Sequence, residues 1–251
     1  MGEQLSNPSV RQENVYNMAE TAVMPGDADS VKVLVARKDR KKRRGVGVQR
    51  TMITAVEYVA ADGRCLSPLI IWPGKALYST WIVHEMPGWH YACSENGYIN
   101  SAINLYWIHH VFDPAIRERA NGRPRILITD GFSTHESVDV LTFCFENNII
   151  LCRQPSHTSH KLQPCDVGPF PPLKSAYREQ VDRLYCGGAG TVSKAHFTLL
   201  YSRARSIGMT SRNIRSGWSR AGLYPFNPSK VLDGMEHVTN PARLGVTTPS
   251  V

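Results

Sequence analysis

Two short apolar runs, Arg125-Ile126-Leu127-Ile128-Thr129 and Ile149-Ile150-Leu151-Cys152, constrain the fold of this 251-residue chain more than any other feature. Neither shows the polar alternation of a strand with one wet face, so each reads as a strand buried on both sides, the kind a parallel sheet needs. Between them Ser137 to Asn147 fits a helix, with Val138, Leu141, Phe143, Cys144 and Phe145 as its inner side. Strand, helix, strand makes this half of the chain α/β. The first run closes on Asp130, and Asp166 follows in Gln163-Pro164-Cys165-Asp166-Val167-Gly168 after a polar loop. Open sheets present their functional groups at strand ends, so two aspartates placed there suggest a metal site.

The first half of the chain reads differently. Asn14 to Met24, bounded by Pro25-Gly26, mixes branched, aromatic and small residues and is read as a strand. Alternation places Tyr16, Met18 and Glu20 on one face and Val15, Asn17, Ala19 and Thr21 on the other. Val31 to Ala36 and Thr51 to Ala60 are the next strands, and Ala61-Asp62-Gly63 is a tight turn into a strand over Cys65 to Trp72. This is an antiparallel meander. Pro73 to Gly97 reads as an irregular stretch with Trp81, Trp89 and Tyr91, either a surface loop that packs against the rest or one that touches a ligand, packing being the favoured reading. A helix begins at Ser101, taken as its N-cap, and ends near Asn121-Gly122.

Beyond Asp166, helices are expected over Leu173 to Leu184, with prolines only around the first turn, and over Val192 to Arg205 and Ser211 to Arg220. The turn-rich aromatic segment Gly217 to Pro228 is expected to dock on the core. The whole reads as one domain over 14–231, with 1–13 and 232–251 as flexible tails.

The formal charge of +8 is local: Arg37-Lys38-Asp39-Arg40-Lys41-Lys42-Arg43-Arg44 carries a net +6, leaving +2 for the rest. Three readings of that run stay open: a surface for DNA phosphates, a nuclear localisation patch, or a solvated loop. Arg203, Arg205, Arg212, Arg215 and Arg220 form a second, weaker basic surface. No apolar run suits a membrane span or a signal peptide, which points to a cytosolic or nuclear protein. The six cysteines contain no C-x-x-C pair and are read as small buried hydrophobes.

The element order is that of an α/β, RNase H-like domain: a mixed sheet of antiparallel meander plus parallel strands, flanked by helices, with a helical C-terminal extension. Asp130-Gly131-Phe132-Ser133-Thr134-His135, Gln154 to Gly168 and Pro172-Leu173-Lys174-Ser175-Ala176-Tyr177 resemble the DDE superfamily endonuclease domain of pogo/Tigger-type transposases, which includes centromere protein B and jerky relatives. Gly217 to Pro228 is similar to that family's closing segment. The resemblance implies cleavage and joining of DNA by three carboxylates holding two Mg²⁺ or Mn²⁺ ions. Asp130 corresponds to the second acid and Asp166 to the third.

The first acid should lie in a motif resembling N-M-D-E, and this chain reads Asn17-Met18-Ala19-Glu20. A methyl group at Ala19 cannot ligate a metal, so the resemblance implies a folded domain with weak or absent metal binding and impaired catalysis. Candidate replacement acids are Glu20, Asp27, Asp29 and Glu57. Glu20 points to the opposite face, Asp27 and Asp29 lie past the strand, and Glu57 reads more simply as an exposed or salt-bridged strand residue. Phe132, Ala22 and the proline-rich Pro169-Phe170-Pro171-Pro172 also depart from the family pattern. His157 and His160 lack a second pair for zinc and are read as loop residues, and His135 as a local packing residue. The partner implied is DNA, bound through phosphates without sequence preference by Lys38, Arg40, Lys41, Lys42, Arg43 and Arg44; no membrane is implied, and a homodimer is compatible. Three functions compete: a metal-dependent endonuclease, a non-catalytic descendant that binds nucleic acid or protein, and a remnant with no selected role.

Overall fold

In the computed structural model of the protein, residues 2–7, 9–24, 52–130, 137–155, 158–186 and 192–232 are described. A short turn of helix, α1 (Gly2–Ser6), precedes the sheet in the stretch expected as a tail, and its Leu5 is buried in the core. The strands β1 (Val15–Val23), β2 (Ile53–Ala60) and β3 (Leu69–Pro73) form the expected meander, each pair antiparallel. The strand expected over Val31 to Ala36 lies outside the described residues, as does the basic run 37–44.

The stretch after β3 is not wholly irregular. His90–Ser94 forms β4, parallel to β3 at the sheet edge. Trp81 packs at a tilt against Trp72, and Trp89 meets Tyr201 edge-on, so these tryptophans do pack. The helix that follows is broken into α2 (Ser101–Trp107), a π-helical turn over Ile108–Phe112 and α3 (Asp113–Ala120). Its N-cap is Asn100, whose side chain accepts from the Ile103 N–H, and not Ser101. Asn121, in the left-handed conformation, ends it where the Asn-Gly signal indicated.

The parallel half is β5 (Arg125–Thr129), α4 (Val138–Glu146) and β6 (Ile149–Arg153). Ser137 caps α4. The expected inner side of α4 needs correction: Val140 and Cys144 face the core, Phe143 is half-buried, and Val138, Leu141 and Phe145 are exposed. Two short turns, α5 (Ser159–Leu162) and α6 (Pro164–Val167), lead to α7 (Phe170–Cys186), α8 (Lys194–Gly208), α9 (Ser211–Arg220) and α10 (Ser229–Leu232).

The sheet order is β4-β3-β2-β1-β5-β6, with β1 parallel to β5 and β5 parallel to β6. Alternation along each strand sorts the core into two layers. Tyr16, Met18, Val56, Tyr58 and Leu127 pack on α2, α3 and α4, while Val15, Ala19, Ala55, Val59, Ile126 and Ile128 pack on α6 to α9. Trp218 and Leu223 are buried in the second layer, so the segment from Gly217 docks as expected. Among the described residues no helix is long and apolar enough to cross a membrane. All six cysteines are free thiols; Cys186 is exposed, contrary to the reading of all six as buried.

Candidate functional site

Three adjacent strands set one row of side chains on the face covered by α6 to α9. On β1 and β2, Ala19 and Glu57 are cross-strand partners, so both project from the same side of the sheet. On β5, Ile128 pairs with Asn17. Continuing both strands by two residues brings Asp130, just past the end of β5, level with Ala19. The row therefore reads Glu57, Ala19, Asp130, and its central member is a methyl group only 2% exposed.

Asp166 comes to this row from above, on α6. Asn17, one step before Ala19 on the same face, makes that possible. Its side chain is fully buried; Nδ2 donates to the Ile128 carbonyl of β5 (3.1 Å), and Oδ1 accepts from the Cys165 N–H of α6 (3.0 Å). Gln163 adds a bond from Nε2 to the Met18 carbonyl (3.3 Å). One asparagine thus ties together the strand that ends in Asp130 and the turn that carries Asp166. Burial, with the nearby charge of Asp130, raises the Asp166 carboxyl above its usual range, against the opposing pull of Lys174. Asp166 therefore lies near enough to Asp130 to feel its charge.

The placement of α6 also depends on two glycines. A Cβ on Gly217 of α9 would sit 2.3 Å from the Pro164 carbonyl oxygen, and one on Gly168 would sit 2.6 Å from the Gly217 Cα. The α6–α9 crossing is thus a contact of backbone on backbone, which only glycine permits. Arg220 closes it by donating from Nη1 to the Val167 carbonyl (2.8 Å).

Glu57 is not free to serve as a ligand. It is wholly buried, its Oε1 accepts from the Tyr201 hydroxyl (3.0 Å), and Arg205 donates from Nε to both carboxylate oxygens (2.9 and 3.2 Å) and from Nη2 to Oε2 (3.0 Å). The salt-bridged reading of Glu57 holds; its exposure does not. Burial, with the charge of Glu57, pushes the neighbouring Cys65 thiol up to about 12, so it stays protonated beside Arg205. Glu20 pairs with Val56 and so belongs to the opposite face. Asp27, Asp29, His135 and His157, like Lys38, Arg40, Lys41, Lys42, Arg43 and Arg44, lie outside the described residues.

The supposed C-terminal basic surface loses only Arg205 to the interior. Arg205 points into the core at Glu57, Arg215 donates from Nε to the Asp62 carbonyl (2.7 Å), and Arg220 is engaged at Val167. Arg203, Arg212, Arg215 and Arg220 are all exposed.

A pair of divalent ions needs several carboxylate oxygens converging from different strands. Asp130 and Asp166 could offer such oxygens, but the position between Glu57 and Asp130 offers none. Among the described residues, no three His, Cys, Asp or Glu side chains are grouped so as to hold a metal. Among the described residues, the donor set does not fit the two-ion site that the resemblance implies.

Comparison with known proteins gives a consistent picture. Residues 49–218 match the family model described as DDE superfamily endonuclease. Over 230 residues the chain is 32% identical to a Cochliobolus lunatus protein described as MFS-type transporter clz9, covering 91% of this chain and 25% of that protein. It is 33% identical over 61 residues to chaetoglobosin A biosynthesis cluster protein C of Chaetomium globosum, covering 24% of this chain and 15% of that one. The matches thus span a quarter or less of these curated relatives. Among solved structures, the Mos1 mariner paired end complex with Mn aligns with a TM-score of 0.54 at 11% identity, covering 90% of this chain and 57% of that chain. The Mos1 strand transfer complex aligns with a TM-score of 0.52 at 12% identity, covering 90% and 56%. Identities this low speak for the fold alone, and that fold is the RNase H-like one expected.

Proposed function

Because the chain belongs to the DDE superfamily endonuclease family, we propose that it is a transposase-derived domain that retains the nuclease scaffold, has lost metal-dependent DNA cleavage, and acts by binding nucleic acid. The observation that carries this reading is the alanine at position 19, at the centre of the acidic row. Two-metal cleavage depends on ions held close together so that one activates the attacking oxygen and the other stabilises the leaving one. Asp130 and Asp166 alone bind Mg²⁺ or Mn²⁺ weakly, and Glu57, across from Ala19 on β2, is paired with Arg205.

Binding to DNA rests on the basic run, in which Lys38, Arg40, Lys41, Lys42, Arg43 and Arg44 would contact phosphates without reading bases. The same residues suit nuclear import. Affinity for duplex DNA should then fall steeply with salt and weaken when Lys41, Lys42, Arg43 and Arg44 are neutralised.

The test is nicking of supercoiled plasmid in Mn²⁺ by the chain and by Ala19→Asp. Cleavage gained only in Ala19→Asp supports the reading. Robust cleavage by the unaltered chain, abolished by Asp130→Ala, overturns it in favour of an active endonuclease.

A further inference from the structure

Helix α4 carries a second apolar stripe that the fold does not cover. Val140 and Cys144 fill the core, whereas Val138, Leu141 and Phe145 are 77%, 46% and 88% exposed. Positions 138, 141 and 145 follow i, i+3, i+7 spacing and so form one line along the helix. The adjacent line consists of Asp139, Thr142 and Glu146, all exposed, and α4 contains no Lys or Arg. The helix packs on β6, the outermost strand on that side of the sheet. A phenylalanine exposed to this degree, in line with two aliphatic side chains, marks an interaction surface more than a stray surface residue.

We propose that this face of α4 docks a basic amphipathic helix of a partner protein. The apolar line would receive anchors at i, i+3 or i+4, and i+7, and Asp139 and Glu146 would meet Lys or Arg on the flank of the incoming helix. Charge separates this occupant from a nucleic acid and from an antiparallel second copy. The chain as a whole carries +8, yet the two charged side chains of α4, Asp139 and Glu146, are both acidic, so this helix disfavours the phosphates that the basic run attracts. A second copy of the chain laid antiparallel on α4 would bring the two acidic lines together, which disfavours that pairing of two copies. The proposal does not depend on the state of the metal site.

The test uses fluorescence anisotropy with a labelled synthetic helix carrying Leu at i, i+3, i+4 and i+7 and Lys at its flanks. A second peptide has Glu in place of every Lys. The unaltered chain should bind the Lys peptide at least about tenfold tighter than the Glu peptide, and Phe145→Ser should weaken it by about tenfold or more. Asp139→Lys with Glu146→Lys should reverse the preference between peptides. Phe145 makes little contact within the fold, so circular dichroism of Phe145→Ser should match that of the unaltered chain. Three results would each overturn the proposal: no binding of the Lys peptide, equal binding by Phe145→Ser, or sedimentation showing a dimer that Phe145→Ser converts to monomer, which would identify the occupant as a second copy.

Discussion

Replacing Asn17 by alanine should cost more stability than its size suggests. The substitution deletes the acceptor for the Cys165 N–H and the donor to the Ile128 carbonyl, both inside a core where Asn17 and Cys165 are fully buried. Water has no ready access to replace either partner. An orphaned buried N–H costs about 1–3 kcal/mol, and a lost hydrogen bond plus the small void left by the amide adds about 1 kcal/mol. The sum, about 2–4 kcal/mol, is a large part of a stability of about 5–15 kcal/mol. Urea unfolding followed by circular dichroism, and separately by tryptophan fluorescence, reads this as a lower midpoint at unchanged slope. Asn17→Asp provides a sharper control. It keeps an acceptor for Cys165 but aims a second oxygen at the Ile128 carbonyl, so the carboxyl should stay protonated in the fold. A folded pKa raised in this way adds stability below the unfolded value of about 3.9 and loses it as pH rises through the folded value. Asn17→Asp should therefore lose stability relative to the unaltered chain as pH rises from 4 to 8. A loss below about 0.5 kcal/mol for Asn17→Ala, or no pH trend for Asn17→Asp, would refute the role assigned to this side chain.

Three further substitutions probe the same architecture. Asp166 has a raised carboxyl pKa, so it favours the fold below its unfolded value of about 3.8 and loses that contribution as pH rises through its folded value; Asp166→Asn should raise the thermal midpoint at pH 7, and the gain should vanish on acidification. Glu57→Ala leaves Arg205 facing an empty pocket and should cost about 3–5 kcal/mol in denaturant unfolding, whereas pairing it with Arg205→Met should recover much of that loss. Gly217→Ala places a methyl carbon against the Pro164 carbonyl and should cost at least about 2 kcal/mol while displacing α6; a neutral result would remove the close crossing from the account.

Much of the architecture was legible because its signals are local. The continuous apolar run at 125–129 is a fully buried strand as expected, that at 149–152 is a strand only partly buried because β6 ends the sheet, and Asn121-Gly122 marked the end of α3 by turn chemistry alone. Asp130 and Asp166 were recognisable from the residues around them, and Ala19 from the motif it interrupts. What the sequence hid was non-local. Asn17 acts through partners 111 and 148 residues away, so nothing near it in the chain marks it as more than a strand residue. Arg205 looked like part of a basic helix surface because its partner, Glu57, is equally distant in sequence. The edge strand β4 has a half-buried, mixed character that carries no period-two signal, and its register comes from pairing with β3. On α4 the apolar residues are too many for one face, and the reading placed Val138, Leu141 and Phe145 inside although Val140 and Cys144, with the half-buried Phe143, make the contact.

The central claim is that the methyl group of Ala19 is what leaves Asp130 and Asp166 short of a metal site. Mn²⁺ binding, followed by electron paramagnetic resonance and by the thermal midpoint, tests it most directly. Ala19→Asp inserts a carboxylate between Asp130 and Glu57, so without metal it should lower the midpoint, and with Mn²⁺ it should bind at least about tenfold tighter than the unaltered chain and recover that loss. Asp166→Asn in the same background should abolish the gain. Mn²⁺ bound by the unaltered chain as tightly as by Ala19→Asp, and lost with Asp130→Ala, would contradict the account.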